Sequence, residues 1–253
     1  MYKHMEIIKN TSKWGNGAGV VLPRNWVGKQ VKIILIDRTE KIKEEVLDIL
    51  KEDLEEIMGI YLVGSYSRGE EEISSDIDII AISNGLKKEI SSGKYNVSIY
   101  PINSVKQTLN INPILIYPRI LEAKTILNNS LLYELKKSKL GSNKVYRDET
   151  KRIIKINEGV INLSDKKKIS DSVIYSLILR LRGILLIKKM DEKKVLTNKD
   201  FLKFLSKFLG DKVSGMMDSY KRIKNNLPEK EIIDVGIAKD LLNLLKEELK
   251  NVK

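Results

Sequence analysis

Two short apolar runs stand out along the first third of the chain. Ile60-Tyr61-Leu62-Val63 stops at Gly64-Ser65, and ten residues further on Asp76-Ile77-Asp78-Ile79-Ile80 begins. Both read as short buried strands bounded by turn residues. Side chains alternate faces along a strand, so Asp76 and Asp78 point one way while Ile77 and Ile79 point into a core. Ahead of them, Ile42, Val46, Ile49, Leu50, Leu54 and Ile57 recur at the spacing of one helical face, which predicts a helix over 40–58 leading into the first strand. Residues 84–94 are polar and read as a turn, 95–100 as a further strand and 104–109 as a short helix. The apolar residues 114–117 between two prolines take no assignment, and 120–137 reads as one helix.

Beyond a linker at 139–148 the periodicity is wholly helical, with helices expected at about 147–162, 170–190, 198–209, 212–226 and 229–251 and with Asp171, Asn198 and Asp211 as caps. The first 38 residues differ from both parts. They hold three strand-like stretches around the glycine cluster WGNGAG, with seven basic residues against Glu6 and Asp37. So short a segment cannot bury enough surface alone and needs a partner copy or the rest of the chain. The expected fold class is therefore α+β: a β-hairpin module at 1–38, a central α/β core with a mixed sheet at 39–138, and a helical bundle at 147–253.

Composition narrows the chemistry. The chain has 253 residues, 42% of them hydrophobic, no cysteine and a single histidine, His4. Disulfides, thiolate metal sites and histidine-based triads are thereby set aside, and a reducing cytoplasmic setting suits the chain. No run reaches the eighteen or so apolar residues that span a bilayer, so no membrane role is expected. A formal charge of +12 favours polyanionic partners, nucleic acid foremost, through attraction that salt weakens.

Two carboxylates side by side repel unless a cation lies between them, and a hard divalent ion with oxygen ligands answers best. Mg2+, or Mn2+, held by Asp76 and Asp78 would leave positions for substrate phosphates, which points to a nucleoside triphosphate, ATP first among them. Gly64-Ser65 allows a backbone to approach a phosphate closely. The string GSYSRG, followed after ten residues from Ser65 by SDID, resembles the nucleotidyltransferase superfamily of DNA polymerase β, especially its small archaeal and bacterial members. The resemblance implies that Gly64 and Ser65 contact the phosphates, that Arg68 supports the loop, and that Asp76 and Asp78 bind the metals. Ser65, Asp76 and Asp78 are then the catalytic set.

Family members carry a third acid on the next strand, where this chain aligns Ser98, no base at neutral pH. Either two carboxylates suffice, or another acid such as Glu122 reaches in, or nucleotide binding persists without transfer. In the helical half, Arg180 and Arg182 flank a core stripe so that one could face the cleft, and Tyr220, Arg222 and Lys224 offer a second basic pole. The amino-terminal string SKWGNGAGVVLPRNWVGKQVKIILI resembles the swapped-hairpin DNA-binding domains of AbrB and of MazE-type antitoxins. That resemblance implies a homodimer and makes Lys13, Trp14, Asn16, Arg24 and Asn25 the candidates for DNA contact. The leading expectation is a Mg2+-dependent transfer of a nucleoside monophosphate to an acceptor hydroxyl with release of pyrophosphate. The alternative is a DNA-binding regulator or antitoxin-like protein on a catalytically weakened nucleotidyltransferase fold.

Overall fold

The computed structural model describes residues 7, 9, 11–33, 39–72, 75–164 and 167–252. By internal contacts the chain divides into two units, residues 1–42 and 43–253. In the first unit, β1 (Ser12–Trp14) and β2 (Gly17–Gly19) form an antiparallel hairpin closed by Gly15-Asn16, with Trp14 opposite Gly17. Gly15 has a φ of +57°, which suits a two-residue hairpin turn. Among its described residues 11–33 none is buried. Of the three strand-like stretches, Val20-Val21-Leu22 before Pro23 is non-strand, and a 3-10 turn, Arg24–Trp26, follows Pro23. Of the last of those stretches, expected as a strand at 31–36, 31–33 is non-strand and the remainder lies outside the described residues.

Helix α1 (Thr39–Ile49) ends earlier than its periodicity suggests, and Leu54 and Ile57 belong to a 3-10 turn and to the strand after it. The sheet of the second unit runs β5-β6-β4-β3-β7, built from β3 (Ile57–Val63), β4 (Ile77–Ser83), β5 (Lys88–Ser92), β6 (Tyr95–Pro101) and β7 (Lys124–Leu127). Only β4 and β6 pair in parallel, so the sheet is mixed as expected. Between β3 and β4 lies α2 (Gly64–Arg68), and between β6 and β7 lie α3 (Ile102–Ile111) and α4 (Tyr117–Glu122). Alternation sends Ile60, Leu62, Ile79, Ala81, Val97 and Ile99 to one face, all buried. Tyr95 belongs to that face through its pairing with Ile77, and its hydroxyl donates to Glu45 of α1. Tyr61, Val63, Ile80 and Ile82 face the other way into a core shared with α3, α4, α5 (Asn129–Lys137) and the helical half.

That half comprises α6 (Lys144–Leu163), α7 (Asp171–Asp191), α8 (Asn198–Leu209), α9 (Val213–Lys224) and α10 (Val235–Lys250), with a small antiparallel pair of β8 (Lys168–Ser170) and β9 (Glu231–Asp234). The stripe Ile174, Leu177, Ile178, Leu181 and Ile184 is wholly buried, and α7 is the central helix, in contact with α6, α9 and α10. Three expectations are corrected. Residues 120–137 are not one helix but α4, β7 and α5; 229–251 opens with β9; and the turn at 84–94 contains edge strand β5. The caps also fall elsewhere: Thr197 caps α8, while Asp171 and Asn198 are the first helical residues and Asp211 sits in a 3-10 turn. Among the described residues no helix is long and apolar enough to cross a membrane.

Candidate active site

The antiparallel register of β3 and β4 sets Val63 opposite Asp78, so the bend after β3 lies against the start of β4. Gly64 has a φ of +72°, and a Cβ there would stand 2.4 Å from Asp78 Oδ2. Glycine is required twice over, by backbone conformation and by the carboxylate beside it. Asp78 is half-buried and Asp76, one residue before the strand, is exposed. Burial pushes the Asp78 carboxyl above its ordinary range, Arg119, Arg68 and Lys224 pull it down, and the charge of Asp76 adds to the rise. Neither aspartate makes a hydrogen bond or ion pair with a described residue. Three cations thus act on Asp78 through charge alone, and no contact with a described residue occupies its carboxylate or that of Asp76. Two carboxylates with hard oxygen donors suit Mg2+ or Mn2+ when substrate phosphates complete the shell, and no group of three or more such ligands occurs among the described residues.

The loop itself is braced from behind. Gly64 N–H donates to Glu122 Oε1 at 2.7 Å, Arg68 Nη1 donates to Glu122 Oε2 at 2.6 Å, and the Ser67 hydroxyl donates to the Glu122 carbonyl at 2.7 Å. Arg68 Nε donates to Glu70 Oε2 at 2.8 Å. Both oxygens of Glu122 are thus committed to the loop, and the expectation that it replaces the third acid is not met. Arg68 meets two carboxylates with side chains only 13% exposed for itself and 10% for Glu122, a brace for the turn with its charge already compensated. Ser65 stays half-buried, its carbonyl accepting the amides of Gly69 and Glu70.

The third-acid position shifts by two residues. The parallel register places Asn96 level with Asp78 and Ser98 level with Ile80. Ser98 is buried and donates to Glu89 Oε2 of β5 at 2.7 Å, while Asn96 Oδ1 accepts from Ser91 at 3.3 Å. By register, the residue level with Asp78 on β6 is thus a neutral amide. The basic residues of the helical half also separate. Arg180 turns to Glu149 at 2.8 Å and over the ring of Tyr146, and Arg222 forms a two-pronged pair with the wholly buried Asp171. Arg182 instead feels Tyr220, Arg68, Glu70 and Glu122, with burial holding its pKa below the usual guanidinium range. Among the described residues Arg182 is hydrogen-bonded to the Asn198 side chain alone, at 2.7 Å. Arg119 and Lys224 make no ion pair with a described residue. Arg119 and Asn96 were not among the expected site residues, Arg119 because it falls between the unassigned stretch 114–117 and the helix expected from 120, and Asn96 because it needed the register.

Lys13, Trp14, Asn16, Arg24 and Asn25 are all exposed on the first unit, with Trp14 72% exposed.

A family model described as nucleotidyltransferase domain matches residues 43–234. Among solved structures, the chain is similar to spectinomycin adenyltransferase AAD(9) from Enterococcus faecialis with ATP and spectinomycin, at 16% identity, covering 84% of this chain and 99% of that one with a TM-score of 0.45. It is also similar to a nucleotidyltransferase-like protein from Exiguobacterium sibiricum, at 14% identity, 83% and 75% coverage and a TM-score of 0.35. No curated protein matches. With three quarters of its length under one family model, this chain belongs to the nucleotidyltransferase domain family of enzymes.

Proposed function

We propose that the protein transfers a nucleoside monophosphate from a nucleoside triphosphate, ATP first among candidates, to an acceptor hydroxyl. The observation that carries the reading is the open aspartate pair set against a positive-φ glycine bend. The acceptor oxygen forms a bond to the α-phosphorus, the bond from that phosphorus to the β-phosphate bridging oxygen breaks, and pyrophosphate leaves. Asp76 and Asp78 would hold Mg2+ or Mn2+, which supplies charge neutralisation at the triphosphate and polarises the attacking oxygen. The Ser65 amide and hydroxyl approach the phosphates, since the Gly64 amide is taken by Glu122. Arg68 keeps that turn in shape. Arg182, Arg119 and Lys224, cations that form no ion pair with a described residue, offer the charge that stabilises the departing pyrophosphate. With Asn96 at the third position, the acceptor proton leaves to water.

Incubation of the protein with labelled ATP, CTP, GTP or UTP, Mg2+ and acceptors including itself and cellular RNA tests this. Transfer is expected with at least one pair, and Asp76→Ala or Asp78→Ala is expected to lower it by about 1,000-fold, the scale of losing a metal-held charge clamp. Transfer with none of them, together with undiminished nucleotide binding by Asp76→Ala, sinks the reading.

The first unit supports a second role, acting in the cytoplasm. Residues 11–33 bury nothing, and Trp14, Val21, Val27 and Ile33 are between 70% and 83% exposed. A second copy would cover these side chains and bring two sets of Lys13, Asn16, Arg24 and Asn25 together for DNA. Sedimentation should then report a dimer that Trp14→Ala with Val27→Asp converts to monomer; a wild type that is monomeric at tens of micromolar rules it out.

A further inference from the structure

We infer that Glu70 is a positioning residue: its one carboxylate ties the phosphate loop to α8 and thereby fixes where Arg182 meets the nucleotide. The inference rests on the reading of Arg182 as a triphosphate contact. Glu70 Oε2 accepts from Arg68 Nε at 2.8 Å, and Oε1 accepts from the first two amides of α8, Asn198 at 2.8 Å and Lys199 at 3.4 Å. The Asn198 side chain then accepts from Arg182 Nη2 at 2.7 Å. The chain of contacts runs from α2 through Glu70 and Asn198 to α7, joining segments 128 residues apart.

The local capping box of α8 does not supply this bond. Thr197 and Asp200 already form a capping box, the Thr197 hydroxyl accepting the Asp200 amide at 3.0 Å and Asp200 Oδ2 accepting the Thr197 amide at 3.4 Å. Glu70 satisfies the two amides that the box leaves over, so it joins α8 to the loop as it completes the helix start. The Glu70 side chain is only 17% exposed, which holds it to one arrangement. Arg182 makes no ion pair with a described residue. Its guanidinium lies 5.5 Å from the Phe201 ring, also on α8, and among the described residues its one hydrogen bond goes to Asn198. Moving the start of α8 therefore moves the cation, and Glu70 decides where α8 starts relative to Ser65.

The test is a double-mutant cycle on the full chain, reading the Kd of a non-hydrolysable ATP analogue with Mg2+ by calorimetry at a temperature where all variants are folded. Glu70→Ala is expected to weaken binding by about tenfold, Arg182→Ala by at least as much, and the double variant no further than Arg182→Ala alone. Glu70→Gln keeps an oxygen for the α8 amides and should recover most of the affinity, which a lost charge effect would not. Losses that multiply in the double variant, or a Glu70→Ala that melts lower yet binds as wild type does, overturn the inference. A wild type that binds no nucleotide removes the functional reading and this inference with it, whereas a wild type that binds with multiplying losses removes the inference alone.

Discussion

At Gly64 two demands meet in one residue. Its φ of +72° costs a side chain about 1–2 kcal/mol, and its missing Cβ makes room for Asp78 Oδ2. Gly64→Ala would force the carboxylate aside as well as straining the bend, so we expect a Tm lower by about 3–6 °C and nucleotide transfer reduced by about 100-fold or more. Near-normal transfer in that variant would mean that Asp78 does not act from its present place. Asp171 presents a different residue-scale problem, since it is wholly buried. Burial alone would raise its pKa, but Arg222, Ser219 and the Lys230 amide outweigh that and hold it below the ordinary carboxylate range. A depressed carboxyl adds stability above its unfolded pKa of about 3.9 and loses it as pH falls through the folded value. Asp171→Asn should therefore melt at least about 5 °C lower at pH 7 and show a shallower loss of Tm between about pH 4 and 2 than wild type. Parallel acid limbs in the two proteins would show that this pair does not report on folding.

At the scale of elements, α6 and α7 pack closely because α7 carries Gly183. A Cβ at Gly183 would stand 1.8 Å from the Tyr146 hydroxyl, and Tyr146 is itself buried beneath Arg180. Gly183→Ala overpacks that contact and should cost about 1–3 kcal/mol in denaturant titration, while Tyr146→Leu added to it should recover part of the loss. If the double variant is no better than Gly183→Ala, the clash is not the cause. The same closeness explains what could be read from the chain and what could not. Ile60–Val63 and Ile77–Ile80 were legible because a short apolar run bounded by turn residues is a local property, and so was α7, whose stripe repeats over about three turns. Strand β7 was hidden because Ile120, Leu121, Ile126, Leu127, Leu131 and Leu135 also fit a helix. What makes 124–127 extended is non-local: the open edge of β3 takes its hydrogen bonds, the Tyr61 hydroxyl donates to the Asn128 carbonyl, and Asn128 turns the chain at a φ of 64°. Asn96 and the Glu70 bridge were hidden for the same reason, since register and contacts 128 residues apart have no sequence period.

Across the whole molecule, 46 basic residues face 34 acidic ones, and many of the acids are already engaged. Glu149, Glu158, Glu248 and Asp240 pair with Arg180, Lys246, Lys188 and Lys212 within the helical half, and Glu70 and Glu122 neutralise Arg68. The surplus is consequently spread over unpaired side chains, some of them on the first unit. A spread surplus attracts any polyanion, whereas a docking face draws on few residues, and salt distinguishes the two. Each phosphate contact contributes about 0.9 to the slope of log affinity against log salt. If duplex DNA docks on the hairpin unit, Lys13→Glu with Arg24→Glu should lower that slope by about 2 and weaken binding at 100 mM salt by about tenfold or more, with nucleotide transfer unchanged. An unaltered slope would assign the attraction to the lysine surface at large and leave the hairpin with dimerisation as its role.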